Sequence, residues 1–295
     1  MSTEEFTPII AYLGPEASFT HVAATYLFGK SGLSPQPTIP DCIEAVSAGR
    51  ATYAVVPLEN ALEGTVPLTI DYMYNDRELF INAELSIPIQ QHLMVNKKQA
   101  EFTEEIESIQ SHPHALAQCH KYLLYQYRRV PLIQTTSTAA AAKYVSENPD
   151  EKIAAIANRL AAEKYGLHIA EENIHDFHFN HTRFVVLSLR KGQLEIPNHT
   201  ETPKTTLMVK LPEDDRSGVL HQVLSVFSWR KLNLSKIESR PLKTGLGNYF
   251  FIIDIVESEE TPMMKGAMEE LAALGCSVRS FGTYYTYEDK TVMSE

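Results

Sequence analysis

Short apolar runs alternate with longer amphipathic stretches through the first two thirds of the chain. Residues 8–13 form the first run and stop at Gly14-Pro15-Glu16, a turn signal, after which Ser18 or Thr20 can cap a helix over 21–28. Asp41 begins a second helix over 42–48, closed by Gly49, and residues 53–57 read as a short strand running into Leu58-Glu59-Asn60. Residues 79–93 alternate around Pro88 and are expected to cross into a second lobe. There, a strand over 106–109 leads through Gln110-Ser111-His112-Pro113 into a helix over 114–125, with Pro113 suited to a first turn that lacks an N–H partner anyway. A further strand, 130–134, ends in Thr135-Thr136-Ser137-Thr138 before an alanine-rich helix over 139–145. The period over 152–157 fits either a strand or a helix start; Ile-Ala-Ala-Ile-Ala ahead of Asn158 favours a strand, then a cap, then a helix ended by Gly166. The apolar run 185–189 is a buried strand, entered through Asn180-His181-Thr182-Arg183-Phe184 and bounded by Arg190-Lys191-Gly192.

These units share one design: a short buried strand ends in Ser, Thr or Asn, and a helix begins there. Each such helix offers unbonded N–H groups and the positive end of its dipole, so several feeding one cleft would bind a small carboxylate without a basic patch. Glu59 and Asn60 follow their strand directly, where α/β proteins place ligand contacts. Thr182 taken alone is an ordinary β-branched strand residue; its place beside Arg183 at a strand mouth is what singles it out.

After Arg190 the pattern changes. Residues 192–203 are polar, proline-bearing and aperiodic, as in a linker. Beyond them the order is strand (205–211), helix (218–232), strand (234–242), strand (247–256), helix (263–274) and strand (277–285), the βαββαβ split unit of ferredoxin-like folds. Leu220, Val223, Leu224 and Phe227 recur at helical spacing and are expected to face its core.

Composition narrows the function. Apolar content of 44% and charged content of 21% are ordinary for a globular protein, and 295 residues suffice for two domains. A net charge of −11 disfavours nucleic acid and anionic membrane as partners, so positive potential for an anionic ligand must be concentrated locally. Three cysteines at wide spacing make no disulfide framework. With no signal peptide and no long apolar run, a cytoplasmic location is expected. The His112/His114/Cys119/His120 and His175/His178/His181 groups fit no common zinc spacing, so no metal is expected. No G-x-S-x-G elbow supports serine nucleophile chemistry, and no G-x-G-x-x-G follows the first strand; Gly245-Leu246-Gly247 sits in a hairpin without a third glycine.

Tyr12-Leu13-Gly14-Pro15-Glu16-Ala17-Ser18-Phe19-Thr20-His21, Val56-Pro57-Leu58-Glu59-Asn60 with Glu63-Gly64, Ser111-His112-Pro113 with Ala115 to Cys119, Ser137-Thr138-Ala139 and Asn180 to Phe184 resemble, in order, the motifs of the prephenate dehydratase family. Residues 204–285 resemble an ACT regulatory domain, most closely at Asn233-Leu234-Ser235-Lys236-Ile237-Glu238-Ser239-Arg240-Pro241. The resemblance implies a two-lobed, periplasmic-binding-protein-like (type II) α/β catalytic domain over 1–192, its second lobe roughly 85–178. A linker over 193–203, a ferredoxin-like ACT domain over 204–285 and a tail over 286–295 would follow. It implies a monofunctional enzyme that dehydrates and decarboxylates prephenate to phenylpyruvate without cofactor or metal, feedback-regulated by L-phenylalanine and assembled as a homodimer or homotetramer.

Carried over by motif, Thr182 and Arg183 are the catalytic candidates. Glu59, Asn60, Ser111, Gln118, Ser137, Thr138 and Phe184 are the candidates for substrate binding, and Gly218, Val219, Leu220, Asn233, Leu234 and Glu238 for effector binding. Glu59 is then protonated, paired with Arg183, or part of the wall. Glu238 is either an effector contact or the partner of Arg240. Departures from the family pattern occur at Ala61, where serine is common, at His114, where glutamine is usual, and at Arg216-Ser217, which precede the retained Gly218. A related arogenate dehydratase and a non-catalytic metabolite-binding regulator are the rival readings.

Overall fold

The computed structural model describes residues 8–75, 79–101, 103–194, 200, 202–212, 217–241 and 249–288. The expected hairpin glycines at 245 and 247, Arg216, and most of the expected linker and tail lie outside the described residues. The chain divides into two compact units, one made of residues up to 75 together with 86–184, the other of 76–85 together with 185–288.

The first lobe of the first unit opens with β1 (Ile10–Leu13), α1 (Phe19–Phe28), β2 (Leu33–Gln36), α2 (Ile39–Ser47), β3 (Tyr53–Asn60), β4 (Gly64–Thr65) and α3 (Pro67–Asn75). Strand β1 pairs in parallel with both β2 and β3, and β4 turns back antiparallel on β3. Ser18 caps α1 by accepting the His21 N–H at 3.2 Å. Helix α2 starts earlier than the sequence suggests: Thr38 accepts the Asp41 N–H, and Pro40 is tolerated in the first turn, where it forfeits no bond. Strand β2 is absent from the sequence reading because Leu-Ser-Pro-Gln has no alternation. Pro35 is admitted because β2 is the edge of its sheet.

Strand β5 (Phe80–Pro88) carries the chain across. The second lobe follows with β6 (His92–Val95), β7 (Ser108–Ser111), α4 (Pro113–Gln118), α5 (His120–Gln126), β8 (Leu132–Gln134), α6 (Thr138–Glu147), β9 (Ile153–Ala157), α7 (Arg159–Tyr165) and β10 (His168–Glu171). Its sheet runs β10-β6-β9-β7-β8. Strands β7, β8 and β9 are mutually parallel where they pair, whereas β6 is antiparallel to β9. Every residue of β9 is buried, and Asn158 caps α7 through the Ala161 N–H at 2.9 Å, the strand-then-cap alternative. The helix expected over 114–125 is instead two, broken at Cys119. The Asp176 N–H donates to the Gln118 carbonyl at 2.7 Å, and the Asp176 carboxylate accepts the Lys121 N–H, so a loop replaces the helical bonds lost at the break. Strand β11 (His181–Ser188) then returns beside β3.

The second unit continues with β12 (Lys204–Lys210), α8 (Val219–Trp229), β13 (Leu234–Pro241), β14 (Tyr249–Ile255), α9 (Pro262–Ala273), β15 (Ser277–Tyr284) and β16 (Thr286–Glu288). The order β12-α8-β13-β14-α9-β15 is the expected split unit, with sheet order β13-β14-β12-β15. Its core stripe on α8 is Val223, Val226 and Phe227, whereas Leu220 is 39% exposed and is not a core residue. Residues 286–288, assigned to a tail by sequence, form β16 beside β5. In this unit Glu84 is 2% exposed and lies 2.7 Å from the Lys204 ammonium, with the Thr286 hydroxyl donating to the same oxygen at 3.3 Å. No helix among the described residues is long and apolar enough to cross a membrane.

Candidate active site

Between the lobes of the first unit lies a cavity of about 850 Å³. The first turns of α1 and α6 open into it: Ser18, Phe19 and Thr20 line one side, and Ser137, Thr138 and Ala140 the other. Ser137 caps α6 through the Ala140 N–H at 3.0 Å, leaving the earlier first-turn N–H groups without intrahelical acceptors. No lysine or arginine is among the described lining residues; the ionisable groups there are Glu16, Glu63, His112 and His114. Burial, with His114 adding to it, pushes the His112 imidazole below its usual range. Its Nδ1 accepts the His114 N–H at 3.3 Å, so Nε2 carries the proton and serves as a neutral donor.

The hydroxyl wall is built from two neighbouring strands. Asn60, at the end of β3, donates from Nδ2 to the Thr182 Oγ at 2.9 Å and to the Asn180 side-chain oxygen at 3.0 Å. Its own Oδ1 accepts the N–H groups of Leu62 and Glu63, at 3.0 and 3.2 Å. Backbone N–H groups can only donate, so the amide cannot be turned over and Nδ2 must face Thr182. With a donor already on Oγ, the Thr182 hydrogen is left to point elsewhere, and Thr182 lines the cavity. An oxygen that accepts one hydrogen bond is also a better donor through its own hydrogen.

Strand alternation sorts the remaining candidates. Thr182 and Phe184 line the cavity and are 8% and 2% exposed, whereas Arg183 and Glu59 are not among its lining residues. Arg183 Nη1 donates to Glu59 Oε2 at 2.6 Å, so of the alternatives for Glu59 the geometry gives the Arg183 pair. Ser111 is fully buried, and its hydroxyl donates to the Ile156 carbonyl at 2.6 Å, tying β7 to β9. Gln118, Ser137 and Thr138 line the cavity.

In the second unit Gly218 precedes α8 with φ of 90°, in the left-handed region that suits glycine, and Val219 and Leu220 begin the helix. Asn233 lies just beyond the other end of α8 and accepts the Val256 N–H through its carbonyl, and Leu234 opens β13. Glu238 is 3.2 Å from the Lys236 ammonium and 3.9 Å from Arg240. Among the described residues no group of three or more His, Cys, Asp and Glu could hold a metal ion.

Gln91, Thr136, His112, His114 and Glu63, none of them a site candidate from the sequence, also line the cavity. Glu63 from the first lobe and His114 from the second meet at 2.6 Å, both partly exposed. A second link crosses where Asn158 Nδ2 donates to the Ala17 carbonyl at 2.9 Å. His114→Ala is expected to raise KM for substrate by about two- to fivefold, the worth of one exposed polar contact, with thermal stability unchanged. Steady-state kinetics beside a melting curve checks this.

Fold and site together define a two-lobed α/β enzyme domain whose cleft is walled by the first turns of two helices and one held hydroxyl. The family model for prephenate dehydratase matches residues 10–192. Prephenate dehydratase of Bacillus subtilis (strain 168) is 51% identical over 283 residues, covering 95% of this chain and 99% of that one. That of Lactococcus lactis subsp. cremoris (strain MG1363) is 45% identical over 280 residues, covering 94% and 98%. A crystal structure of prephenate dehydratase from Arthrobacter aurescens in complex with L-Phe matches with a TM-score of 0.82 at 33% identity, covering 94% of this chain and 89% of that one. The chain belongs to the prephenate dehydratase family, and its activity is that of a decarboxylating hydro-lyase.

Proposed function

We propose that residues 1–192 convert prephenate to phenylpyruvate with Thr182 as the donor to the leaving hydroxyl. In this reading residues 204–285, joined through 193–203, bind L-phenylalanine and restrain that activity in a cytoplasmic homo-oligomer. The hydrogen bond from Asn60 to the Thr182 Oγ is the observation that carries the catalytic part, because it leaves the Thr182 hydrogen for the ligand. As the C–C bond to the ring carboxylate breaks, its electron pair enters the ring, the C–O bond breaks at the opposite carbon, and CO₂ departs. With one proton taken up, the hydroxyl leaves as water. The barrier lies in the poor leaving group, so a donor at that oxygen stabilises the charge that develops there. Threonine is too weak an acid to surrender its proton outright; its part is hydrogen-bond donation, with the proton supplied from solvent. The pyruvyl carboxylate fits the first turn of α6 at Ser137 and Thr138, with Gln118 and the neutral His112 as further donors.

For the effector, an α8 of 11 residues is about 16 Å long at the usual helical rise, so Gly218 and Asn233, at its two ends, cannot hold one amino acid within a single chain. This favours a pocket shared by two copies. The nearness of Glu238 to Lys236 and Arg240 supports a structural part for it rather than an effector contact.

Purified full-length chain should release phenylpyruvate from prephenate, followed by absorbance, and do so in preference to the corresponding product from arogenate. Phenylalanine should inhibit it, with a coupling of about 1–3 kcal/mol. Asn233→Ala should remove the inhibition and keep the turnover. Turnover of arogenate alone, or inhibition undiminished in Asn233→Ala, would overturn the substrate or the effector assignment respectively.

A further inference from the structure

Gln91 sits in the short crossing between β5 and β6, is 2% exposed, and lines the cavity. Its main chain is fixed on both sides. The Gln91 N–H donates to His175 Nδ1 at 3.4 Å, and its carbonyl accepts the Ile174 N–H at 2.9 Å. Burial, followed by the nearby His178, pushes the His175 imidazole below its usual range, which keeps the Nδ1 lone pair available for that bond. The side chain is held at one end only: Nε2 donates to Gln118 Oε1 at 3.4 Å. The other end, Oε1, is buried and has no hydrogen-bond partner among the described residues. Turning the Gln91 amide over alone would set two carbonyl oxygens against each other, and in the orientation of the Gln118 bond Oε1 is the end without a partner among the described residues.

A buried amide carbonyl left without a donor is costly, and native structures seldom tolerate one. The ligand of this cavity has few ways to supply a donor. On prephenate both carboxylates and the ketone only accept, and the single donor is the ring hydroxyl.

We infer that Gln91 is a substrate-contacting specificity residue whose Oε1 accepts the hydrogen of the ring hydroxyl. The hydroxyl is then held from two sides, donating to Gln91 and accepting from Thr182, which presents its lone pair to the donor before the C–O bond breaks. Phenylpyruvate has no hydroxyl, so the product leaves Oε1 without a donor again. A site built around a ligand hydroxyl discriminates against the analogue lacking it. Gln91 therefore favours substrate over product, and release follows from the chemistry itself.

This inference rests on prephenate being the substrate, which wild-type turnover tests separately. The experiment compares two constants in Gln91→Met, which keeps the length of the side chain and removes the acceptor. The KM for prephenate should rise about tenfold, the worth of one buried hydrogen bond, while the inhibition constant of phenylpyruvate stays within about twofold of wild type. Equal shifts in both constants would mean that Gln91 only positions Gln118, and unchanged constants would mean no contact; either overturns the inference. Loss of arogenate binding with prephenate binding intact would assign the oxygen to an ammonium and overturn it too. Should Gln91→Met not fold, Gln91→Asn, which withdraws the amide by one methylene, is read by the same two constants.

Discussion

Thr182→Ala is expected to lower turnover of prephenate by about 10²–10⁴-fold, the range for a single positioned proton-handling group, with the fold intact. The fold should survive because the Asn60 Nδ2 that serves Thr182 also has the Asn180 oxygen at 3.0 Å, so losing the hydroxyl does not strand the amide. Thr182→Ser keeps the donor and the Asn60 bond and should retain much of the rate, with some loss because serine is less restricted at χ1. Asn60→Ala should be worse for stability than Thr182→Ala, since the Leu62 and Glu63 N–H groups lose their acceptor and the Thr182 hydroxyl its donor. Initial rates and circular dichroism on the three variants separate these effects. Wild-type rates in Thr182→Ala would reduce Thr182 to an ordinary strand residue.

The largest effect on stability is expected from Lys204→Met. Glu84 is 2% exposed and the Lys204 side chain 17%, so this is a buried pair whose charges have largely left water. Removing the cation at 2.7 Å while the carboxylate stays buried should cost about 3–5 kcal/mol in urea unfolding. The double variant Glu84→Gln/Lys204→Met should recover much of that loss, because both charges then go together. A loss in Lys204→Met below about 1 kcal/mol would show that the carboxylate finds water on its own.

Most of the fold is legible in the sequence where a local device is strong. Ser18, Ser137 and Asn158 are the N-caps that the strand-then-cap pattern predicts, and Gly166 ends α7 in the left-handed region. Local pattern fails where a partner decides. Strand β2 exists because β1 offers it a parallel edge, and the break at Cys119 exists because Asp176 arrives from a distant loop. The site shows the same division. Thr182 and Arg183 adjoin in one motif, but side chains that adjoin in a strand point to opposite faces; the period-two rule, applied inside the motif, separates them and leaves Arg183 facing Glu59. Ser111 carries the residue type of an anion contact, and only the approach of β9 shows that its hydroxyl is already committed. Gln91 lies between two strands in a stretch without helical or strand period, so nothing local marks it.

The cavity walled by α1 and α6, with no lysine or arginine among its described lining residues, also bears on how the site can change over generations. An arginine clamp is one codon away from loss, whereas a main-chain N–H is present whatever residue is substituted, proline excepted. The sequence around Ser137 and Thr138 can therefore drift while the charge complement endures, provided the helix still begins in the same place. A residue-by-residue alanine survey would find the hydroxyl and amide positions, and of the proposed anion clamp would register only the cap at Ser137. Only changes that shift the start of α6, such as loss of its cap at Ser137 or an insertion ahead of it, would expose the clamp.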